Sequence, residues 1–400
     1  MPDVKTELQR GAEAFGPAVR GLDDLRRRRV RLERRRRATA GLTALVITTL
    51  AGAVLWQSFR PAGDSTTVST GGAENGRITF TIGELGGSME GIGIGSVGAD
   101  GSGRATLAEG VRDFVTGGWS PDGRQIVFSK EGTEPGTADI WIMEADGTNA
   151  HPLTSGPWWD GWAQWSPAGD RIAFIRSTDL LGETSPGSEP PSGLYVIGAD
   201  GSNLHPVLES EGATSMFYSW SPQGDRFAFT SFAGPEGIFT IDADGTNEEL
   251  VFEGSGGTVL WSPDGTQLLF DSALGVSVMN ADGSDVRTLI AGEQDQTYES
   301  FAWSPDGTQV LYVRPVEDEM SDELRVVNAD GSGDRLLAEN LTWRDGGAIW
   351  SPDGTQIAFN RDGDVWTVAL DGSGERQITD IPAYESTPSW GVAASVALGA

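Results

Sequence analysis

The chain has 400 residues, a formal net charge of −30, no Cys and only two His. The lack of Cys removes disulfides as a source of stability, and two His cannot build a metal cluster of several histidines. The charge is unevenly placed: the first 60 residues carry 13 Lys or Arg against 6 Asp or Glu, and the remaining 340 carry 15 against 52. A basic leader and an acidic body of this kind face different environments.

Residues 1–37 read as a cytoplasmic basic leader. Leu8, Ala12, Phe15, Val19 and Leu22 recur at spacings of 4, 3, 4 and 3, one face of a helix that Gly16-Pro17 interrupts. Residues 1–25 are then either a docking element for a cytoplasmic partner or, the preferred reading, an amphipathic lead-in at the membrane surface. Nine Arg follow between positions 26 and 37.

Residues 38–59 contain no charged side chain. A helix of that length spans roughly 33 Å, enough to cross a bilayer core. The Arg run before it keeps the N terminus in the cytoplasm, places the rest outside, and finds its counter-charge in lipid headgroups, so it needs no nucleic acid. Trp56 stands where an interfacial anchor belongs, and Arg60 ends the span. A cleaved signal peptide is the competing reading, from Ala51-Gly52-Ala53; that site lies inside the apolar run, which favours an uncleaved anchor. Residues 60–76, rich in Gly, Ser and Thr, form a flexible linker.

Residues 77–391 are a repeat array, followed by a tail at 392–400. Trp-Ser-Pro-x-Gly stands at 119–123, 165–169, 220–224, 261–265, 303–307 and 350–354, and Trp390-Gly391 closes the series. Pro and Gly set a tight turn, and apolar runs such as Gln125-Ile126-Val127-Phe128 and Gln309-Val310-Leu311-Tyr312 leave it as strands. Hairpins centred on Asp100, Asp146, Asp200, Asp244, Asp282, Asp330 and Asp371 alternate with these turns. One unit then reads strand, loop, strand, Asp-Gly hairpin, strand, loop, and a fourth strand ending in Trp. The Trp residues are 46, 55, 41, 42, 47 and 40 residues apart, the length of a propeller blade. The expected fold is all-β, a seven-bladed β-propeller preceded by a single transmembrane helix, with six blades as runner-up if the Gly-rich first unit fails to form one. Trp119, Trp165, Trp220, Trp261, Trp303, Trp350 and Trp390 are its structural anchors.

On these residues the array resembles the β-propeller repeats of TolB and its relatives, the WD-like class, over about 77 to 390. Ala168 and Gln223 replace the turn Asp in two copies, with Asp170 and Asp225 two residues on. In TolB an α/β domain precedes the propeller, and here a membrane anchor stands in its place. The arrangement also resembles membrane-bound envelope proteins of high-GC bacteria, with Lys confined to Lys5 and Lys130.

In a propeller, the hairpins between second and third strands share a face with the links between blades. The seven hairpin Asp residues and Asp122, Asp264, Asp306 and Asp353 then ring one face, either as a docking surface for a basic partner or simply because the turns call for Asp. The opposite face carries the variable segments 177–192 and 315–322. It also groups Trp158, Trp159 and Asp160, Tyr298 with Glu299, Trp343, Arg344 and Asp345, and Tyr384 with Glu385, the residue types of a binding surface. Packing within the repeat is the equal alternative. Trp158-Trp159 exceeds the repeat pattern and is the sharpest candidate.

No catalytic residue is expected. His151 and His205 occupy one repeat position just after a hairpin, which argues for an exposed structural role over a ligand pair. A Gly-x-Ser-x-Gly elbow is missing from the sequence. Gly93-Ile94-Gly95-Ser96-Val97-Gly98 fits a dinucleotide spacing but precedes a hairpin, and reads as a Gly-rich strand. Asp242-Ala243-Asp244-Gly245 and the 280–285 segment offer oxygens suited to calcium without a full ligand loop, so no cofactor or metal is expected. The expected function is that of a cell-membrane protein whose extracytoplasmic propeller binds a protein or glycan without catalysis, as a sensor or regulator. The alternatives are an envelope scaffold with no signalling and a channel-sited hydrolase or lyase using carboxylates.

Overall fold

The computed structural model describes residues 75–83, 92–111, 118–134, 136–177, 192–210, 217–231, 236–254, 256–272, 274–292, 300–316, 322–341, 347–380 and 384–393. The chain divides into two units, Met1–Ile47 and Thr48–Ala400, and every described residue lies in the second. The leader and the 38–59 span lie outside the described residues.

The described secondary structure is strand throughout, with no helix. The strands form five sheets of four and one of seven. In the larger sheet two repeat units are joined by one parallel bridge, Ala138 to Trp159.

The sheet order moves the Trp strand from the end of the unit to its head. Strands Ala348–Trp350, Gln356–Arg361, Asp364–Ala369 and Arg376–Gln377 neighbour one another in chain order, and Trp350 pairs with Ile357. The Trp-Ser-Pro-Asp-Gly turn is therefore a hairpin within a sheet, and the link to the next sheet is the stretch before Trp. The sequence reading placed that strand fourth. Turn chemistry and alternation are the same in either phase; only the closing pair distinguishes them. Tyr384–Val392 pairs antiparallel with Asn75–Gly83, so the first sheet takes its Trp strand from the C-terminal end of the array. The Gly-rich segment is a strand, Ile92–Gly98, as its sequence indicates.

Each turn is held by its own side chains. Ser351 Oγ donates to Asp353 Oδ1 at 2.7 Å and accepts the Gln356 N–H at 2.9 Å, while Gly354 takes φ 71°. Where the turn Asp is replaced, the later carboxylate takes over: Ser166 Oγ reaches Asp170, and Ser221 Oγ reaches Asp225, both at 2.8 Å. Ser351 is fully buried and Asp353 is exposed. Ser351→Ala is therefore expected to cost about 2 kcal/mol and Asp353→Ala about 1 kcal/mol. Urea unfolding checks the ranking, and the reverse order would show that the carboxylate, not the hydroxyl, organises the turn.

The seven repeat Trp side chains are all buried, from 0% exposed at Trp350 and Trp390 to 4% at Trp261. Three of them also bond to the repeat unit before. The indole N–H of Trp165 donates to the Gly118 carbonyl at 3.0 Å, that of Trp220 to Gln164 at 3.4 Å, and that of Trp350 to Ala302 at 3.3 Å. Each acceptor is the residue preceding the previous repeat Trp. The apolar core lies between sheets: Trp350, Ile357 and Phe359 pack with Leu311, Val313 and Leu324 of the preceding one.

Candidate functional site

Because first–second and third–fourth turns share an end of an antiparallel sheet, the Trp-Ser-Pro turns and the Asp-Gly hairpins still fall together, as in the earlier phase. At this end turn chemistry accounts for the carboxylates. Asp146 Oδ1 accepts the Thr148 N–H at 2.9 Å and its hydroxyl at 2.6 Å. Asp100, Asp200, Asp244, Asp282, Asp330 and Asp371 each accept the N–H two residues on in the same way. The hydroxyl bond from Ser202, with its N–H, holds the Asp200 carboxyl below the ordinary range, and the others follow suit. His151 and His205 donate through Nδ1 to the Asn149 and Asn203 carbonyls at 2.7 and 2.8 Å, the same arrangement twice. Open clefts of about 500 and 450 Å³ lie at this end, one beside Arg77, Asp100 and Trp119, the other beside Asp170, Arg171, Asp200 and His205.

The opposite end carries the candidate site. Strand Trp159–Trp165 opens with two of the singled-out residues, and both are inside: Trp159 is 5% exposed and Asp160 is 1%. Arg176, at the end of the paired strand Arg171–Ser177, is 4% exposed and forks onto Asp160, Nε to Oδ1 and Nη2 to Oδ2, each at 2.7 Å. Its guanidinium lies 4.4 Å from the centre of the Trp158 ring, 5.0 Å from Tyr195 and 5.4 Å from Phe174. Trp158 is half-buried and covers the ion pair. Burial pushes the Asp160 carboxyl up, against the pull of Arg176. Burial, with Asp160 nearby, also raises Asp139 to about 6.

Glycines make room for the rings. A Cβ on Gly156 would lie 2.4 Å from the Trp158 ring, and one on Gly161 would lie 2.2 Å from the Trp159 ring. Beyond Gly161 the register shifts, and Trp162 takes φ 53°, a left-handed conformation that is strained for a bulky side chain. Trp162 meets Trp159 edge to face at 4.9 Å.

A second acid repeats the pattern. Glu385 stands five residues before Trp390, as Asp160 does before Trp165. It is 0% exposed and accepts Arg104 Nη2 at 2.8 Å. Its N–H donates to the Gly363 carbonyl at 2.8 Å, and its own carbonyl accepts Asn360 Nδ2 at 3.0 Å, which ties it to the neighbouring sheet. Arg104 passes over the Phe80 ring at 5.6 Å, beside Gly95, where any Cβ would strike that ring. The acidic member of the aromatic–acidic pair is thus buried and paired with an Arg in both described copies.

Tyr298, Trp343, Arg344 and Asp345 lie outside the described residues, as does the side chain of Tyr384. Sequence reasoning missed the partners Arg176 and Arg104. Arg176 had a signal: a cation two residues after the strand aromatic recurs as Lys130, Arg314 and Arg361, and Arg361 likewise lies over Phe359 and Trp366 at 5.1 and 5.0 Å. Among the described residues, no group of three or more His, Asp or Glu is placed to hold a metal ion.

Residues 120–236 match the family model of the dipeptidyl peptidase IV N-terminal region. The chain is 30% identical over 136 residues to the uncharacterized protein Atu1656 of Agrobacterium fabrum, which covers 32% of this chain and 43% of that protein. It is 36% identical over 63 residues to the Tol-Pal system protein TolB of Rhizorhabdus wittichii, 16% of this chain and 14% of that one. The alignments therefore span less than half the length of these curated relatives. Among solved structures, the β-propeller domain of the trilobed protease from Pyrococcus furiosus is similar with a TM-score of 0.55 at 14% identity, over 77% of this chain and 98% of that one. The described part of the chain has a TolB-like β-propeller fold.

Proposed function

We propose that the chain is a membrane-anchored propeller of seven blades that binds a protein or glycan outside the cell through its loop end and is not a catalyst. The count of seven treats the two units sharing the Ala138–Trp159 bridge as separate blades. The observation that carries the binding assignment is Trp158, a half-buried indole held by a guanidinium that is itself locked on Asp160. An aromatic fixed in advance loses little freedom on binding, and such residues dominate recognition surfaces. At the other end, the hairpin carboxylates are engaged in their own turns. The anchor is the uncharged stretch 38–59 with its nine preceding Arg, which favours a cytoplasmic N terminus and a cell-membrane location. Residues 1–25 would meet a cytoplasmic partner if the protein signals; without one it is an envelope scaffold.

The hydrolase or lyase reading draws its support from Asp139, whose carboxyl titrates near 6 at the same end. Asp160 adds little to it, because both its oxygens are held by Arg176. Trp158→Ala is expected to weaken capture of an outer-surface partner from intact membranes about thirtyfold, with the thermal midpoint lowered by only a few degrees for the lost ring contact on Arg176. Undiminished capture would remove the loop end from recognition. Because the chain has no Cys, one Cys placed at Ser69 reports topology: an impermeant maleimide should label it in intact cells, and protection would overturn the proposed orientation.

A further inference from the structure

Asp139 stands seven residues before the hairpin Asp146, a position that holds Gly93, Gly193, Gly237, Gly275, Glu323 and Asp364 in the other units. The two other acids are satisfied. Glu323 accepts Arg314 at 2.6 Å and Arg325 at 3.0 Å, and Asp364 accepts Gln377 Nε2 at 2.8 Å. Asp139 is half-buried and accepts no hydrogen bond or ion pair from the described residues. Its register partner is Lys130, as Arg314 is the register partner of Glu323. That cation is turned away, with Nζ 4.8 Å from the centre of the Trp141 ring.

The backbone brings Asp139 beside Trp158. The Ala138 N–H donates to the Trp158 carbonyl at 3.1 Å, and Ala138 bridges Trp159 in parallel, so alternation puts Asp139, Trp158 and Asp160 on one side. Arg176 joins them there, forked onto Asp160 with its guanidinium against the Trp158 ring. The charged groups facing Asp139 are therefore Asp160 and Arg176 on this side, and Lys130 with Glu131 on the paired strand Gln125–Glu131. Asp160 and Arg176 balance each other. Asp139 is left as an uncompensated charge next to a half-buried indole.

We infer that Trp158 and Asp139 together receive a cationic side chain, the guanidinium or ammonium group of a protein partner. The inference rests on the loop end being the recognition surface, and it selects protein over glycan. A flat cation packs on the outward part of the indole, bonds to the carboxylate and cancels its charge. A neutral sugar stacks equally well but leaves a half-buried charge without a counter-ion.

The test uses Nα-acetyl-arginine methylamide, the citrulline analogue as its uncharged match, and maltotriose as a neutral glycan. Fluorine NMR of the full chain, labelled with fluorotryptophan and held in detergent, follows the Trp158 resonance, assigned by its loss in Trp158→Phe. The arginine probe is expected to shift it saturably at neutral pH, at least tenfold tighter than citrulline. Affinity should fall about tenfold towards pH 5, one unit below the point near 6 where Asp139 takes up its proton. Asp139→Asn should lose the same tenfold and the pH dependence with it. Its thermal midpoint at neutral pH should rise, because a carboxyl raised above 3.8 costs stability once ionised and Asn does not.

Citrulline binding as tightly as arginine overturns the inference, and so does silence from all three probes. Maltotriose moving the Trp158 resonance where arginine does not overturns it in favour of a glycan. An arginine shift that Asp139→Asn abolishes, found together with undiminished partner capture by Trp158→Ala, keeps the cation site and removes the recognition reading.

Discussion

Asp160→Ala is expected to destabilise the folded chain by about 3–5 kcal/mol, because it leaves a buried guanidinium without its carboxylate. Arg176 is 4% exposed, and its other described contacts are ring faces at 4.4 to 5.4 Å. Such contacts contribute about 0.5–2 kcal/mol each and cannot replace a bidentate ion pair. Changing Asp160 to Leu together with Arg176 to Met should cost less than either single change, since the desolvated charges leave together. Urea unfolding of the singles and the double gives the coupling directly, and about 2 kcal/mol or more is expected between partners in such contact. A loss below about 1 kcal/mol for Asp160→Ala would mean that the pair is open to water. Asp160→Ala should also weaken recognition through Trp158, whose ring rests on the freed guanidinium. A binding defect larger than that of Trp158→Ala would instead locate the contact on the pair itself.

The fold was legible because its determinants are local and repeated. Pro and Gly in the Trp-Ser-Pro-x-Gly turn and the Asp-Gly hairpins specify chain reversals from four residues at a time, and even the compensation of Ala168 by Asp170 shows in the sequence and in the Ser166 contact. The phase of the repeat was not legible. Whether a Trp strand pairs with what precedes or follows it depends on contacts between distant residues, here Ile78 with Trp390. The partners of the candidate-site residues were not legible for the same reason. Trp159 and Asp160 look like surface chemistry until Arg176 is brought alongside, sixteen residues away on the paired strand. Arg104 was harder still, because it reaches Glu385 from 281 residues away in the chain. Trp158 remains outward of this pair, half-buried with its ring 4.4 Å from the Arg176 guanidinium.

Trp390→Ala is expected to cost about 3–5 kcal/mol, as is Trp350→Ala, because each removes a large, fully buried ring from a close-packed seam. The two should differ in where the loss is felt. Trp350 sits between units that are continuous in the chain, so truncating it leaves the first and last strands paired. Trp390 belongs to the closing strand and pairs with Ile78. Side-chain contacts that help close the array there include Asn75 to Asp353 at 3.0 Å, Arg376 to the Ala99 carbonyl at 2.8 Å, Arg104 to Glu385 at 2.8 Å, and the Thr79 hydroxyl to the Ser389 carbonyl at 3.4 Å. Each is polar and worth about 1 kcal/mol, and none replaces the apolar packing of the lost ring. Hydrogen exchange should therefore show Trp390→Ala losing protection first in Asn75–Gly83 while Gln356–Arg361 stays protected, and Trp350→Ala doing the reverse. Equal loss everywhere in both variants would mean that the whole array opens as one cooperative unit. Unchanged protection of Asn75–Gly83 in Trp390→Ala would show that the first strand is held by its own sheet and owes nothing to the closing one.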